Sequence, residues 1–188
     1  MARPRDSTKP AQIIEAAFAV FGQRGYEATR ISHIAERAGI SSGTIYTYFK
    51  DKEDLFRATA EEGWRRFLQD IEEIAGLRLS AQKRLFRAFD VGLAALKTYL
   101  PLLRGMLYES SQMNILQGNL DKLCTYFVGL AEELIGAREK PADAEARRIR
   151  IRLTVHGVLF TAALLEPSKV DDLVVTLKRM FRRFVKEA

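Results

Sequence analysis

The residues best suited to chemistry lie close together, in a short run that ends at Lys52. Their side chains are small or hydroxylated, or they carry a longer hydrogen-bond donor. Hydroxyl, phenol and ammonium groups donate to phosphates and to the edges of bases, and small side chains permit a close approach. The run therefore indicates contact with a nucleic acid. Its members are Ser41, Ser42, Gly43, Thr44, Tyr46, Thr47, Tyr48 and Lys52.

Residues for catalysis are scarce elsewhere. The chain has 2 histidines, His33 and His156, and 1 cysteine, Cys124, whose apolar neighbours favour a buried, inert side chain. It contains no Ser/His/Asp or Cys/His set, no phosphate-binding glycine loop and no metal-spaced cluster. We therefore expect no catalytic residue, no metal and no cofactor, and the protein is not predicted to be an enzyme. A helical adaptor that binds DNA without sequence preference is the other alternative.

The composition is that of a globular chain long enough to bury a substantial core. Of its 188 residues, 47% are hydrophobic and 29% are charged. No apolar stretch approaches the roughly 20 residues of a membrane span, and the basic N-terminus lacks the apolar core of a secretory signal. We expect a cytoplasmic protein with no membrane partner. The net charge of +6 favours a polyanionic partner. Basic residues lie at the start of the chain and around Lys50 and Lys52.

Helices must position these residues. Apolar residues recur at spacings of three and four almost throughout, and no segment alternates for long enough to form a strand. The fold is therefore predicted to be all-α, with about nine helices. Pro10 suits the first turn of a helix that Gly25 ends. Thr29 can cap a second, short helix that Gly39 ends in a left-handed conformation.

A third helix is predicted from Ser42 to Phe49, with Ser41 as its N-cap, and Asp51 caps a long fourth helix. Two short helices joined by a tight turn and packed on a preceding helix describe a helix-turn-helix. A helix of eight residues is about 12 Å long, comparable with the width of the DNA major groove. The remaining five helices are predicted at about Ser80–Leu100, Pro101–Gln117, Asn119–Gly136, Pro141–Leu165 and from Ser168 onwards.

From Ile14 to Leu55 the sequence resembles the TetR family of transcriptional regulators. The matching run includes Ile34-Ala35-x-x-Ala38-Gly39-Ile40-Ser41-x-Gly43-Thr44-Ile45-Tyr46-x-Tyr48-Phe49-x-x-Lys52. Many fixed spacings in one contiguous run are far more specific than a bare helix-turn-helix. The resemblance implies an N-terminal three-helix DNA-binding domain with a helix-turn-helix, over residues 1–52. It also implies a C-terminal helical domain for ligand binding and dimerisation, over residues 53–188.

The resemblance also implies roles for individual residues. Phosphate contacts fall to Thr29, Tyr46 and Lys52, and Arg30 adds a phosphate or a base contact. Tyr46 is interpreted as core plus phosphate contact or as core alone. An N-terminal arm with Arg3, Arg5 and Lys9 is predicted to enter a minor groove. Contacts to bases or the groove are implied for Ser42, Gly43, Thr44, Thr47 and Tyr48.

The second domain is expected to hold an apolar effector among its middle helices and to form a homodimer through its last two helices. Such a dimer suits a palindromic operator, and the implied function is a repressor released by a small, largely apolar molecule. Activators and ligand-insensitive proteins remain alternatives. For His156, a satisfied core or interface histidine competes with a ligand contact. Candidate pocket residues are Trp64, Phe86, Phe89, Met106, Tyr108, Phe127, His156 and Phe160.

Overall fold

A computed structural model describes residues 8–108, 113–135 and 141–187 of the chain. Within these ranges every regular element is helical, which confirms the predicted all-α class. None of the described helices is both long and apolar enough to cross a membrane. Arg3 and Arg5 lie outside the described residues. The helices are α1 (Lys9–Arg24), α2 (Ile31–Ala38), α3 (Ser42–Tyr46), α4 (Lys52–Gly76), α5 (Ala81–Tyr108), α6 (Met113–Ile135), α7 (Pro141–Leu164) and α8 (Val170–Glu187), with a short 3-10 helix at Pro167–Lys169.

Two glycines set the ends of the first two helices as predicted. Gly25 follows α1 at φ 73°, and its N–H donates to Phe21 O. Gly39 follows α2 in the left-handed conformation at φ 65° and ψ 33°, and its N–H donates to Ala35 O. A residue with a Cβ is strained at a positive φ, so glycine lets the chain turn sharply here. The turn at Gly39 is the one that separates α2 from α3.

The structure contains fewer helices than predicted because α5 continues through Pro101. An interior proline costs about 3 kcal/mol, since it removes a backbone hydrogen bond and crowds the preceding turn. Leu100, Leu102, Leu103 and Met106 are all buried on either side of it. Burying one such side chain is worth roughly 1.5 to 3 kcal/mol, so packing outweighs the local penalty. The predicted boundary at Pro101 was therefore wrong, and the described ranges hold eight α-helices.

Two predictions about α2 and α3 were also wrong. The third helix is shorter than the eight residues expected, because regular α3 spans 5 residues and the chain then tightens into a turn. In that turn Thr47 N–H donates to Thr44 O and Tyr48 N–H to Ile45 O. Thr29 doesn't cap α2; the N-cap is Arg30, whose N–H donates to His33 Nδ1 at 3.2 Å.

The chain divides into two compact units. Among the described residues, the first comprises 8–69, 101–108 and 113–116, and the second comprises 70–100, 117–135 and 141–187. This division follows packing and differs from the boundary predicted after residue 52, which stays a prediction about function. In the second unit Phe181 of α8 packs on two rings of α5, stacking on Phe89 at 4.0 Å and meeting Phe86 edge-on at 5.2 Å. Ion pairs of Lys97 with Asp171 and of Lys178 with Asp90 join the same helices.

An ionic cluster joins α1 to α4 in the first unit. Glu62 accepts from Arg65 Nε at 2.6 Å and from Arg66 Nε at 2.7 Å, and Arg66 also pairs with Glu15 of α1. The hydrogen bond from Arg65, followed by that from Arg66, lowers the pKa of Glu62 to about 2 against the opposing effect of burial. The guanidinium of Arg66 lies 5.2 Å from the ring centre of Phe18, so the cluster also covers an apolar surface.

Replacing Glu62 with Gln should lower the free energy of unfolding by about 1 to 2 kcal/mol at pH 7. Because the pKa of Glu62 is lowered in the folded state, its contribution is complete above its ordinary value of 4.5 and is lost as the pH falls towards about 2. Urea unfolding of both proteins between pH 7 and pH 3.5 measures this. Glu72→Gln, an exposed position on the same helix, is the control. A difference that stays constant below pH 4.5 would contradict the assignment.

Candidate nucleic-acid interface

Two buried residues fix the orientation of α3 and the turn after it. Ile45 is fully buried and Phe49, one helical turn later, is 8% exposed. These two side chains anchor one face of the segment in the first unit. The opposite face is exposed at Gly43, Tyr46 and Thr47, while Ser42, Thr44 and Tyr48 are half-buried. The predicted base-contacting and phosphate-contacting residues of this run therefore lie on or beside one solvent-facing surface.

Ser41 caps α3, as predicted. Its Oγ accepts from Thr44 N–H at 3.1 Å and lies 2.9 Å from Thr44 Oγ1. Because one hydroxyl donates to the other, this pair uses one of its two hydroxyl hydrogens and keeps the second for a partner. The pair is exposed at Ser41 and half-buried at Thr44. The cap thus stabilises the short helix and leaves a hydroxyl donor at its start.

Tyr46 is 55% exposed, so it is not a core residue. Both interpretations placed Tyr46 in the core, and that part of each was wrong; the phosphate contact stays a prediction. Thr47 Oγ1 donates to Gly43 O at 3.1 Å. Its hydroxyl hydrogen is therefore used within the segment, which leaves its lone pairs and its exposed methyl group. A methyl group of this kind is suited to contact with the methyl of thymine.

Lys52 begins α4 and is held by the turn after α1. Its Nζ donates to Tyr26 O at 3.0 Å and lies 4.2 Å from the centre of the Tyr26 ring. At the same helix end the Asp51 carboxylate accepts from Asp54 N–H at 2.8 Å, which confirms Asp51 as a cap. The Lys50 N–H, which donates to Asp54, holds the pKa of that carboxyl below its usual value. The Asp54 N–H at the start of α4 is therefore already occupied by a carboxylate.

Two predicted contacts, those of Thr29 and Lys9, are placed differently from the expectation. Thr29 is 1% exposed, and its hydroxyl donates to Gly25 O at 2.6 Å, so its side chain closes a turn and does not face a phosphate. Arg30 is exposed beside it. Lys9 is the first residue of α1 and donates to Gln12 Oε1 at 3.1 Å, so it is part of a helix rather than of an extended arm.

The candidate pocket residues are divided between the two compact units. Trp64 and Met106 belong to the first unit, and Phe86, Phe89, Phe127, His156 and Phe160 belong to the second. Phe127 packs with Tyr126 on a small core of Ala81, Leu85 and Leu130. Phe160 is 42% exposed, and His156 Nδ1 donates to Arg152 O of its own helix at 2.7 Å. The side chain of Tyr108 lies outside the described residues.

Two residues of the first unit were missed by the sequence reasoning. Tyr26 is part of the family-like run but received no role, although it holds Lys52. Gly105 of α5 is the second, because a Cβ there would meet Phe56 Cζ at 2.6 Å and Tyr26 Cβ at 3.2 Å. Tyr26 was at least visible as a member of the motif, whereas no sequence signal distinguished Gly105 from the other glycines.

Residues 13–59 match the family model described as bacterial regulatory proteins, tetR family. Over 77 residues the chain is 39% identical to the fatty acid metabolism regulator protein of Bacillus subtilis strain 168, an alignment that covers 41% of this chain and 40% of that protein. Over 121 residues it is 31% identical to the HTH-type transcriptional regulator BetI of Yersinia pestis, covering 60% of this chain and 61% of BetI. The alignments thus span less than two thirds of the length of these curated relatives.

Solved structures share the fold over nearly the whole chain. A transcriptional regulator from Cytophaga hutchinsonii superposes with a TM-score of 0.77 at 20% identity, covering 96% of this chain and 98% of that one. FadR from Bacillus subtilis, solved in complex with stearoyl-CoA, gives a TM-score of 0.64 at 22% identity and covers 89% and 96%. Over residues 13–59 the chain is similar to the TetR family of bacterial regulatory proteins. The resemblance stated from its sequence is thereby confirmed.

Replacing Ser41 with Ala should lower the free energy of unfolding by about 1 kcal/mol, because Thr44 N–H loses its acceptor. Ser41→Asn retains a cap and is the matched control. Denaturant unfolding of the three proteins checks the expectation. Equal midpoints for the Ala and Asn variants would show that the Ser41 cap does not stabilise α3.

Proposed function

We propose that the chain is a sequence-specific DNA-binding transcriptional regulator that works in the cytoplasm. In this proposal it binds a palindromic operator as a homodimer and represses until a small, largely apolar molecule releases it. The observation that carries the DNA-binding part is the surface around α3. Buried Ile45 and Phe49 hold the segment, while exposed Tyr46 and the hydroxyl pair of Ser41 and Thr44 face solvent. The likeness to regulators over residues 13–59 supports the same conclusion.

Within the proposed interface, the chemistry of each side chain decides which part of the DNA it is assigned to. Tyr46 and Lys52 are assigned to phosphates, because a phenol and an ammonium donate without distinguishing bases. Ser42, Gly43 and Thr47 are assigned to the groove, where small groups reach base edges and thymine methyls. Arg30 is assigned to the flanking backbone, and Arg3 and Arg5 keep their predicted role in the minor groove. The buried Thr29 side chain is not part of this interface.

We assign the dimer contact to the last two helices. Exposed apolar residues on α7 follow a helical stripe, at Ile149, Leu153, Phe160 and Leu164, with exposures of 50%, 68%, 42% and 83%. Their spacing places them on one side of the helix, opposite the buried Ala162. Val175 and Met180 add exposed apolar surface on α8. A second copy of the chain is the partner that a two-fold operator requires.

The effector is proposed to bind in the second unit. Its rings include Phe86, Phe89 and Phe127, which give apolar surface for a hydrophobic molecule. The relative solved with stearoyl-CoA makes a long-chain acyl-CoA the first class of effector to test. A catalytic role is not proposed. The described histidines are engaged locally, with His33 Nδ1 accepting from Arg30 N–H and His156 Nδ1 donating to Arg152 O.

The test of the proposal is fluorescence anisotropy of the purified chain with labelled duplex from immediately upstream of its gene. Scrambled duplex competes at near-physiological salt, and a second arm selects binding sites from random DNA. A preference for one sequence on the order of a thousandfold is expected. If scrambled DNA competes equally well and no sequence is enriched from random DNA, a helical adaptor is the better description. Addition of an acyl-CoA to the formed complex should then lower the anisotropy.

The phosphate assignment is tested by Tyr46→Phe, which removes only an exposed phenol. Affinity should fall about fivefold for every duplex, because a lost phosphate contact weakens binding uniformly. Tyr126→Phe, which removes a buried phenol of the second unit, is the control and should bind as the wild type does. A Tyr46→Phe protein that changes its preference among sequences would instead assign the phenol to a base.

The dimer assignment is tested by Leu153→Glu, which places a charge in the middle of the α7 stripe. Since Leu153 is 68% exposed within one chain, the variant should fold and yet sediment as a monomer. Leu134→Glu introduces the same charge at an exposed position of α6 and should leave the dimer intact. Equal sedimentation of the Leu153→Glu protein and the wild type would move the dimer contact elsewhere.

A further inference from the structure

We infer that Gly105 and Tyr26 are positioning residues for Lys52, the proposed phosphate-binding ammonium. The inference therefore rests on the proposed function. Lys52 and Tyr26 are 26 positions apart in sequence, and Gly105 lies on a third segment, the C-terminal part of α5. All three residues belong to the first compact unit. The contacts between them form a continuous path from α5 to the ammonium.

The first contact on this path is between Gly105 and two aromatic residues. A Cβ at Gly105 would lie 2.6 Å from Phe56 Cζ, 3.1 Å from Phe56 Cε2 and 3.2 Å from Tyr26 Cβ. Real side chains do not approach to 2.6 Å, so α5 can lie this close only because residue 105 is glycine. The missing side chain is therefore a condition for the observed packing of α5 on the aromatic residues.

Phe56 and Tyr26 cannot easily move away from a Cβ at position 105. Phe56 is fully buried, with its ring edge-on to Phe21 at 5.1 Å and tilted against Tyr26 at 4.7 Å. Protein interiors are closely packed, so they transmit a displacement because few voids absorb it. A methyl group at Gly105 would therefore push on Tyr26, both directly at its Cβ and through the ring of Phe56.

Tyr26 in turn fixes Lys52 by two contacts. Its carbonyl oxygen accepts from Thr29 N–H at 3.2 Å and from Lys52 Nζ at 3.0 Å, and its ring lies 4.2 Å from the same ammonium. An ammonium has three hydrogens, so one donated to Tyr26 leaves two for the oxygens of a phosphate. A mobile lysine side chain on a protein surface loses considerable rotamer freedom when it binds a phosphate. Tyr26 removes part of that freedom before binding.

The experiment measures binding of the full chain to the duplex that the wild type selects from random DNA. Gly105→Ala should weaken binding about three- to tenfold, because Lys52 must then be ordered on contact. Gly92→Ala is the matched control, since it makes the same change in the same helix with nothing within 4 Å of the new Cβ. The control should bind as the wild type does.

A double-mutant cycle separates positioning of Lys52 from general damage. In a Lys52→Ala background, Gly105→Ala should cause no further loss, since the group that it misplaces is absent. Equal losses in both backgrounds would overturn the inference, as would wild-type affinity of Gly105→Ala itself. Tyr26→Leu, which removes the ring and leaves the backbone carbonyl, tests the other end of the path if Gly105→Ala does not fold. It should weaken binding only when Lys52 is present, and wild-type affinity would overturn the inference.

The same set of proteins distinguishes failure of the inference from failure of the proposed function. If the wild type selects no duplex, the proposed function fails. If it selects one and Lys52→Ala binds it equally well, the phosphate assignment of Lys52 fails, and the inference fails with it. If Lys52→Ala weakens binding and lowers the slope of log affinity against log salt by about 1, the assignment holds and the cycle decides the inference.

Discussion

The packing of Phe21, Tyr26 and Phe56 is the interaction on which the first compact unit depends. These rings come from the end of α1, from the turn after it and from α4, with centroids 4.7 to 6.1 Å apart. Gly105 brings α5 against the same rings. The cluster therefore sets where α4 begins relative to α1, and Lys52 stands at that beginning. The geometry of the proposed DNA contact is in this way a consequence of core packing.

Much of this unit could be predicted from the sequence because its signals are local. Gly25 and Gly39 mark helix ends through their backbone freedom, and Ser41 and Asp51 mark helix starts through hydrogen bonds within three residues. The position of the candidate interface followed from these local features and from the family-like motif that contains them.

What could not be predicted depends on contacts between distant segments. At Pro101 a local rule favoured a new helix, and buried leucines on both sides overrode it. Thr29 is a good cap residue by type, yet its hydroxyl bonds backwards to Gly25 O and Arg30 takes the cap position. The link between Lys52 and Tyr26 crosses 26 positions, and the clearance at Gly105 depends on a ring in another helix. None of these has a periodicity or a spacing that a sequence displays.

The arginines of α7 are best interpreted together with the exposed apolar stripe on the same helix. Composition alone assigns these arginines to a solvated face, and Arg148 and Arg152 are exposed and paired with Glu132 and Asp121 of α6. Arg147, by contrast, is buried. Helical geometry places Arg152 beside the apolar stripe, since it lies three residues after Ile149. An apolar centre bordered by polar groups is the usual anatomy of a protein interface, in which the border remains hydrated. α7 is only weakly amphipathic. The proposed dimer accounts for this, because the helix would then have one apolar side towards its own core and a second towards the partner copy.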